Sequence, residues 1–162
     1  GFEMVYEDFD FHKNEQMHAY DFNWDKHGYA CLSRYYPGIE KKMDAVFRTA
    51  YTMTDHSINN AANVDTEPFR IAIWHYVFRL FGVNNDSYEY RFVNVYLPVK
   101  LKIFIKKLVC YSQIVTVADL KKMGVALKEH EKIHVAILAL EAKKQASLLF
   151  ALKAIMKFMQ SN

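Results

Sequence analysis

Apolar residues recur at helical spacing along most of the chain, and five glycines and three prolines are all that punctuate it, which predicts an all-α fold. A short helix is expected from about Asp25 to Tyr36, stopped by Pro37 and Gly38. A longer one is predicted from about Ile39 to Asp55, with Ile39, Met43, Val46, Phe47, Ala50 and Tyr51 on its inner face. After the loop "HSINNAANVDT", Asp65 or Thr66 can cap a third helix, Glu67 suits its positive end, Pro68 occupies the first turn, and Gly82 ends it. The acidic loop "VNNDSYEY" precedes a helix from about Tyr88 to Cys110 that Pro98 breaks into two halves at an angle. "TVAD" reads as a capping box with Asp in place of Glu, so another helix starts after Thr116. The last and longest runs from about Glu129 to Met159, with Ile137, Leu148, Leu152, Ile155 and Met159 defining its core face. Residues 1–25 are acidic and aromatic without a clean period and are expected to form an extended arm pinned by its rings. The sum is a compact bundle of about five to six helices over residues 26–162, preceded by that arm.

Composition narrows the class. At 162 residues, 52% of them hydrophobic, the chain suits one domain that buries roughly two thirds of its unfolded surface. Cys31 and Cys110 lie far apart with no C-x-x-C, which argues against a disulfide framework or zinc ribbon and predicts a reducing compartment, cytoplasm or nucleus. No apolar run reaches the ~18 residues of a membrane span, and the acidic N-terminus is unlike a secretory signal. A start at Gly1 rather than Met predicts a fragment of a longer chain. Residues 1–98 carry 9 Lys and Arg against 14 Asp and Glu, whereas residues 99–162 carry 12 against 4. The basic half holds lysines alone; Lys132, Lys143, Lys153 and Lys157 read as a solvated face, and without bidentate Arg or interleaved aromatics no nucleic-acid partner is expected.

Arg70 sits oddly. Its helical neighbours Ile73, Trp74, Val77 and Phe81 are all apolar, and a guanidinium on such a face must find an acceptor. From the last helix His134, Glu141 and Gln145 fall in the core stripe, with Glu131 at its edge. One expectation is a structural ion pair of Arg70 with Glu141 or Glu131. A sharper one keeps Arg70 and Glu131 apart, the first receiving a carboxylate and the second an ammonium, which is the chemistry of a free α-amino acid. Two E-x-x-H sequences, Glu15 to His18 and Glu131 to His134, raise a di-iron reading, but no bridging carboxylates accompany them and no metal is expected. Neither cysteine has an electropositive setting, and no serine or cysteine completes a triad with His56 and Asp55, so no catalytic group is assigned.

The segments "WDKHGYACLSRYYP", "VDTEPFRIAIWHYVFRLFG", "NDSYEY", "LKIFIKKLVCY" and "HEKIHVAILALEAKKQASLLFALKAIMKFM" resemble the C-terminal domain of the sestrins, stress-induced regulators of TOR signalling, from about Tyr20 to Met159. The resemblance implies a helical, alkylhydroperoxidase-like fold and a non-enzymatic domain, without cofactor, that senses free leucine. It implies that Arg70 receives the ligand carboxylate, Glu131 its ammonium, that His134 lines the pocket, and that Thr54, Ser57 and Thr66 belong to a lid over it. Leucine-sensing members carry Trp, Tyr and Leu where this chain has Gly124, Asp55 and Phe69; the lost indole alone removes contact worth on the order of 2 kcal/mol. The family's acidic pair that binds the GATOR complex corresponds to Asp86 and Ser87, its second acid replaced. The peroxidase-like cysteine belongs to the family's N-terminal domain, a further expected partner that this chain lacks. The alternative is an interaction scaffold of the same type with a vestigial pocket.

Overall fold

The computed structural model describes residues 16–161. Its elements in chain order are β1 (Met17–His18), α1 (Tyr29–Tyr35), α2 (Ile39–Thr52), α3 (Glu67–Leu80), β2 (Val83–Asn84), α4 (Arg91–Tyr96), α5 (Val99–Cys110), α6 (Val117–Lys121) and α7 (Glu129–Gln160). A wide π turn at Trp24–Gly28 leads into α1, and a 3-10 turn at Ser112–Ile114 follows α5. The all-α expectation holds, with seven α-helices among the described residues rather than five to six, because Pro98 separates α4 from α5 and α6 is one short capped turn.

α7 is the spine. α3 lies along it, α2 and α5 flank it, and the contact surface is made of small residues: Ala72, Ala139, Ala142 and Ala146 are all fully buried, letting the two backbones come close. Ile73, Val77, Leu101, Ile105, Leu138 and Leu149 fill the space around them. β1 pairs in parallel with β2, Met17 opposite Val83, and Met17, Phe22 and Trp24 insert into the core from the chain's first described residues. Gly28 packs tightly where the π turn meets α7: a Cβ there would lie 3.0 Å from the Trp24 ring and 3.1 Å from Leu149, so those side chains would have to shift.

Phe47 and Ala50 on α2 and Leu152 on α7 are buried as expected, with Met43, Tyr51 and Leu148 packed against the core, but other expected core positions face solvent. Val46 on α2 and Ile137, Ile155 and Met159 on α7 are solvent-exposed, while Val135, Leu138, Ala142, Gln145 and Leu149 carry the α7 core stripe. The stripe is dominated by alanine, which a count of large apolar residues overlooks, and the last turns of α7 outrun the elements that could cover them. The capping box at Thr116 and Asp119 forms as expected, with Lys107 Nζ 2.7 Å from the Asp119 carboxylate. No described helix is long and apolar enough to cross a membrane.

Candidate functional site

α2 stops three residues before its expected end at Asp55, where Met53 turns to extended backbone, and two side chains from other helices take up the backbone groups left at that end. The last bond of α2 joins the Met53 N–H to the Thr49 carbonyl; a continued helix would next join Thr54 to Ala50 and then the Asp55 N–H to the Tyr51 carbonyl. Instead Arg70 Nη1 donates to that carbonyl, and the Glu131 carboxylate accepts from that N–H. A cation and an anion thus divide one peptide hydrogen bond between them. The acceptor is apt for a guanidinium, since carbonyls in a last helical turn lack partners and carry the negative end of the helix dipole.

The rest of the Arg70 environment follows from the start of α3. Thr66 stands at its N-cap position with φ −87° and ψ 0°, and its hydroxyl does not cap; the Asp65 carboxylate accepts the Glu67 N–H at 3.0 Å instead. The buried Thr66 Oγ1 is therefore free to meet Thr54 Oγ1 at 2.6 Å and to accept from Arg70 Nε at 3.1 Å. Among the described residues Arg70 forms no ion pair with Glu141, which bridges to Lys144 at 2.7 Å, or with Glu131. The expected structural ion pair is absent, because a helix end and a hydroxyl satisfy the guanidinium.

Glu131 is 4% exposed, in the first turn of α7, where a negative charge is favoured. His134 Nδ1 lies 3.6 Å from its Oε1 and has no hydrogen-bond partner. The Asp55 side chain turns outward, 2.6 Å from His130 Nε2 and 3.5 Å from Lys128 Nζ; hydrogen bonding to His130 holds its carboxyl below the usual carboxylate range. Buried Ser57 places Oγ 3.5 Å from the same carboxylate. Further along, the Asn59 N–H donates to the Ala126 carbonyl at 2.9 Å and Asn59 Oδ1 accepts the Ala126 N–H at 3.2 Å. The 53–66 segment is thus latched to the α6–α7 connection. Its sharp path uses left-handed backbone at His56, Asn59, Asn60 and Asn63, residue types that tolerate it.

Thr54, Thr66, Arg70 and Glu131, with Ser57 and His134 beside them, therefore fall in one connected region at the N-terminal ends of α3 and α7. Asp86 and Ser87 do not join it: they are exposed after β2, with Asp86 3.3 Å from His18. The paired E-x-x-H reading does not assemble either, since His18 belongs to β1 and Glu15 lies outside the described residues. The one group of metal-ligand types among the described residues is Asp55, His130 and Glu131, with donor atoms within 4.8 Å of one another. His130 and His134 have H-E-x-x-H spacing, which the sequence reading missed by starting at Glu131. The Lys128 ammonium beside Asp55 already supplies positive charge there.

Of the family departures, Gly124 is the most constrained. It has φ +76°, and an added Cβ lands 2.8 Å from Lys100 Cβ, so a larger residue there requires movement of α5 or of the connection. Phe69 is buried, and the Asp55 side chain is held by His130. The Tyr51 carbonyl and the Asp55 N–H had no signal in the sequence, because backbone groups become available only where a helix ends.

A family model described as PA26 p53-induced protein (sestrin) matches residues 2–159. The chain is 42% identical over 140 residues to a sestrin homolog of Dictyostelium discoideum, covering 86% of this chain and 23% of that protein. It is 37% identical over 158 residues to the sestrin homolog of Drosophila melanogaster, covering 96% of this chain and 32% of that one. It is 39% identical over 141 residues to Sestrin-2 of Homo sapiens, covering 87% and 29% respectively. The chain therefore spans 23–32% of the length of these relatives, and its family match over residues 2–159 and shared identity establish that it belongs to the sestrin family.

Proposed function

We propose that this sestrin domain is a non-enzymatic sensor of a free apolar amino acid, leucine or a close analogue, that reports occupancy to a GATOR-type complex controlling TOR. The observation that carries the reading is the divided hydrogen bond at the end of α2. Arg70 holds a group bearing partial negative charge and Glu131 one bearing partial positive charge. An amino acid presents the same pair with full charges, a carboxylate for the guanidinium and an ammonium for the carboxylate, and charge-assisted bonds are about twice as strong as neutral ones. The loop backbone stands in for the ligand in the unliganded chain. Ligand then displaces the Tyr51 carbonyl and the Asp55 N–H, and the 53–66 segment rearranges over it, with Thr54, Ser57 and Thr66 as lid hydroxyls and His134 beside the ammonium. A ligand shifts this loop only through its differential affinity for the two arrangements. Asp86 and Ser87, exposed and away from the pocket, suit a partner-facing role.

Thermal denaturation with millimolar leucine, isoleucine, methionine and phenylalanine tests the reading. At least one is expected to raise the melting temperature of the wild type, and Arg70→Ala and Glu131→Ala are each expected to abolish the rise. If none shifts the wild type, the sensor reading fails. The second reading, a scaffold with a vestigial pocket, is favoured by Gly124: its crowding against Lys100 leaves no room for an aromatic floor.

A further inference from the structure

A cavity of about 650 Å³ opens between the π turn, α2, α3 and the segment after β2, on the side-chain face of Tyr51, whose carbonyl Arg70 holds. Neither Arg70 nor Glu131 lines it. Its walls are the rings of Trp24, Phe47, Tyr51, Trp74 and Phe78, set edge to face or tilted: Trp24 on Phe47 at 5.1 Å, Tyr51 on Trp74 at 5.7 Å, Trp74 on Phe78 at 5.2 Å. The wall is held rigid where Trp24 Nε1 donates to Asp44 at 3.0 Å and Arg48 Nε donates to the same carboxylate at 2.7 Å. That volume and aromatic character are those of a small-molecule site.

Two polar side chains on this wall lack partners. Gln145, on the core stripe of α7, is 7% exposed, and among the described residues its amide makes no hydrogen bond. His75 Nδ1 is buried and unpaired, and burial lowers its pKa to about 4, so the ring is neutral at pH 7. The Gln145 amide opens onto the cavity with no protein group to pair with, and it can donate and accept side by side. At the rim, Asp25, Asp44 and Asp86 outnumber Lys26 and Arg48, which disfavours an anion.

We infer that this cavity is a second ligand site, independent of the Arg70–Glu131 pocket, for an uncharged planar heteroaromatic molecule whose edge carries a donor beside an acceptor. The ring stacks among the tryptophans and the edge pairs with the Gln145 amide. Because Asp86 lies on the rim, occupancy alters the surface on which the proposed partner pair sits.

Trp24 and Trp74 are the only tryptophans in the chain, so intrinsic fluorescence reads this cavity directly. Adenosine and nicotinamide are titrated into the 162-residue chain, with benzoate as an anionic ring and leucine as the ligand of the other pocket. Saturable quenching by at least one neutral ring is expected, at least fivefold weaker for benzoate. Gln145→Leu is expected to weaken it at least fivefold, Thr52→Phe to block it by filling the mouth from the exposed end of α2, and Arg70→Ala to leave it unchanged. Absence of saturable quenching by both neutral rings overturns the inference. So does equal binding of benzoate, or quenching that neither Gln145→Leu nor Thr52→Phe alters. Leucine-induced stabilisation lost in Arg70→Ala, with ring binding intact, separates the fate of this site from that of the sensor reading.

Discussion

Glu131 and Gln145 are the two buried polar residues of α7, about four turns apart. Glu131 has captured the Asp55 N–H from the loop that follows α2. Gln145 has captured nothing, and a cavity stands in front of it. Burial alone therefore does not say what a polar group on a helix is for. What decides is whether a mobile connection or a rigid helix faces it. The 53–66 loop can bend to supply a peptide group; the helical faces around Gln145 have already spent theirs within α2 and α3.

Acid separates the two regions most strongly. His75, at the cavity, is neutral in the folded chain, its pKa lowered by burial to about 4 against an ordinary 6.5. Its sign follows from linkage: below pH 6.5 the unfolded chain binds a proton that the folded chain refuses. Stability therefore falls as pH drops, by up to roughly 3 kcal/mol between pH 6.5 and 4. The carboxyl of Asp55, at the loop end, is lowered instead, so its contribution persists until below the usual carboxylate range. Urea denaturation across this window should show the loss in the wild type and its suppression in His75→Phe, which keeps a ring against Tyr88. An unchanged acid slope in His75→Phe would place the titrating group elsewhere.

Truncation should act with opposite sign at the two buried polar residues. Glu131→Ala leaves the Asp55 N–H and His134 without their neighbour and is expected to cost about 1–3 kcal/mol. Gln145→Leu removes an amide that has no partner and is expected to be neutral or stabilising by less than about 1 kcal/mol. Urea midpoints at constant m-value report both. Equal destabilisation by the two variants would mean that Gln145 is satisfied in solution, and the contrast between the two residues would collapse.

What was legible in the sequence tracks how local its cause is. Pro68 with Glu67, Pro98, and the Thr116–Asp119 box each act within one turn, and each marks the element it should. The family segments fixed the neighbourhood of Arg70 and Glu131 as well. The phase of α7 was misread because its buried face is alanine at the α3 crossing, while Ile137, Ile155 and Met159 point to solvent. Within the chain, Arg70 meets a peptide carbonyl, a group every residue carries and no pattern marks, rather than the Glu141 or Glu131 carboxylate of the structural-pair expectation. The cavity was invisible for a related reason: its walls come from segments far apart in the chain, and an empty space leaves no periodicity.

The smallest effect is the most local. Asp55 binds α7 twice, by its backbone N–H to Glu131 and by its carboxylate to His130. Asp55→Asn keeps the first bond and weakens the second, and because the carboxylate is exposed, no change in melting temperature is expected. The expected change is kinetic and confined to the loop, with amide hydrogen exchange at Asn59 and Val64 rising a few-fold while the α3 amides stay protected. Glu131→Ala should raise exchange at the same amides much further, since it removes the bond that ties the loop backbone at Asp55 to α7. If Asp55→Asn loosens the loop as much as Glu131→Ala does, the side-chain latch rather than the divided peptide bond holds the segment. Arg70 and Glu131 would then no longer be gripping a ligand's stand-in.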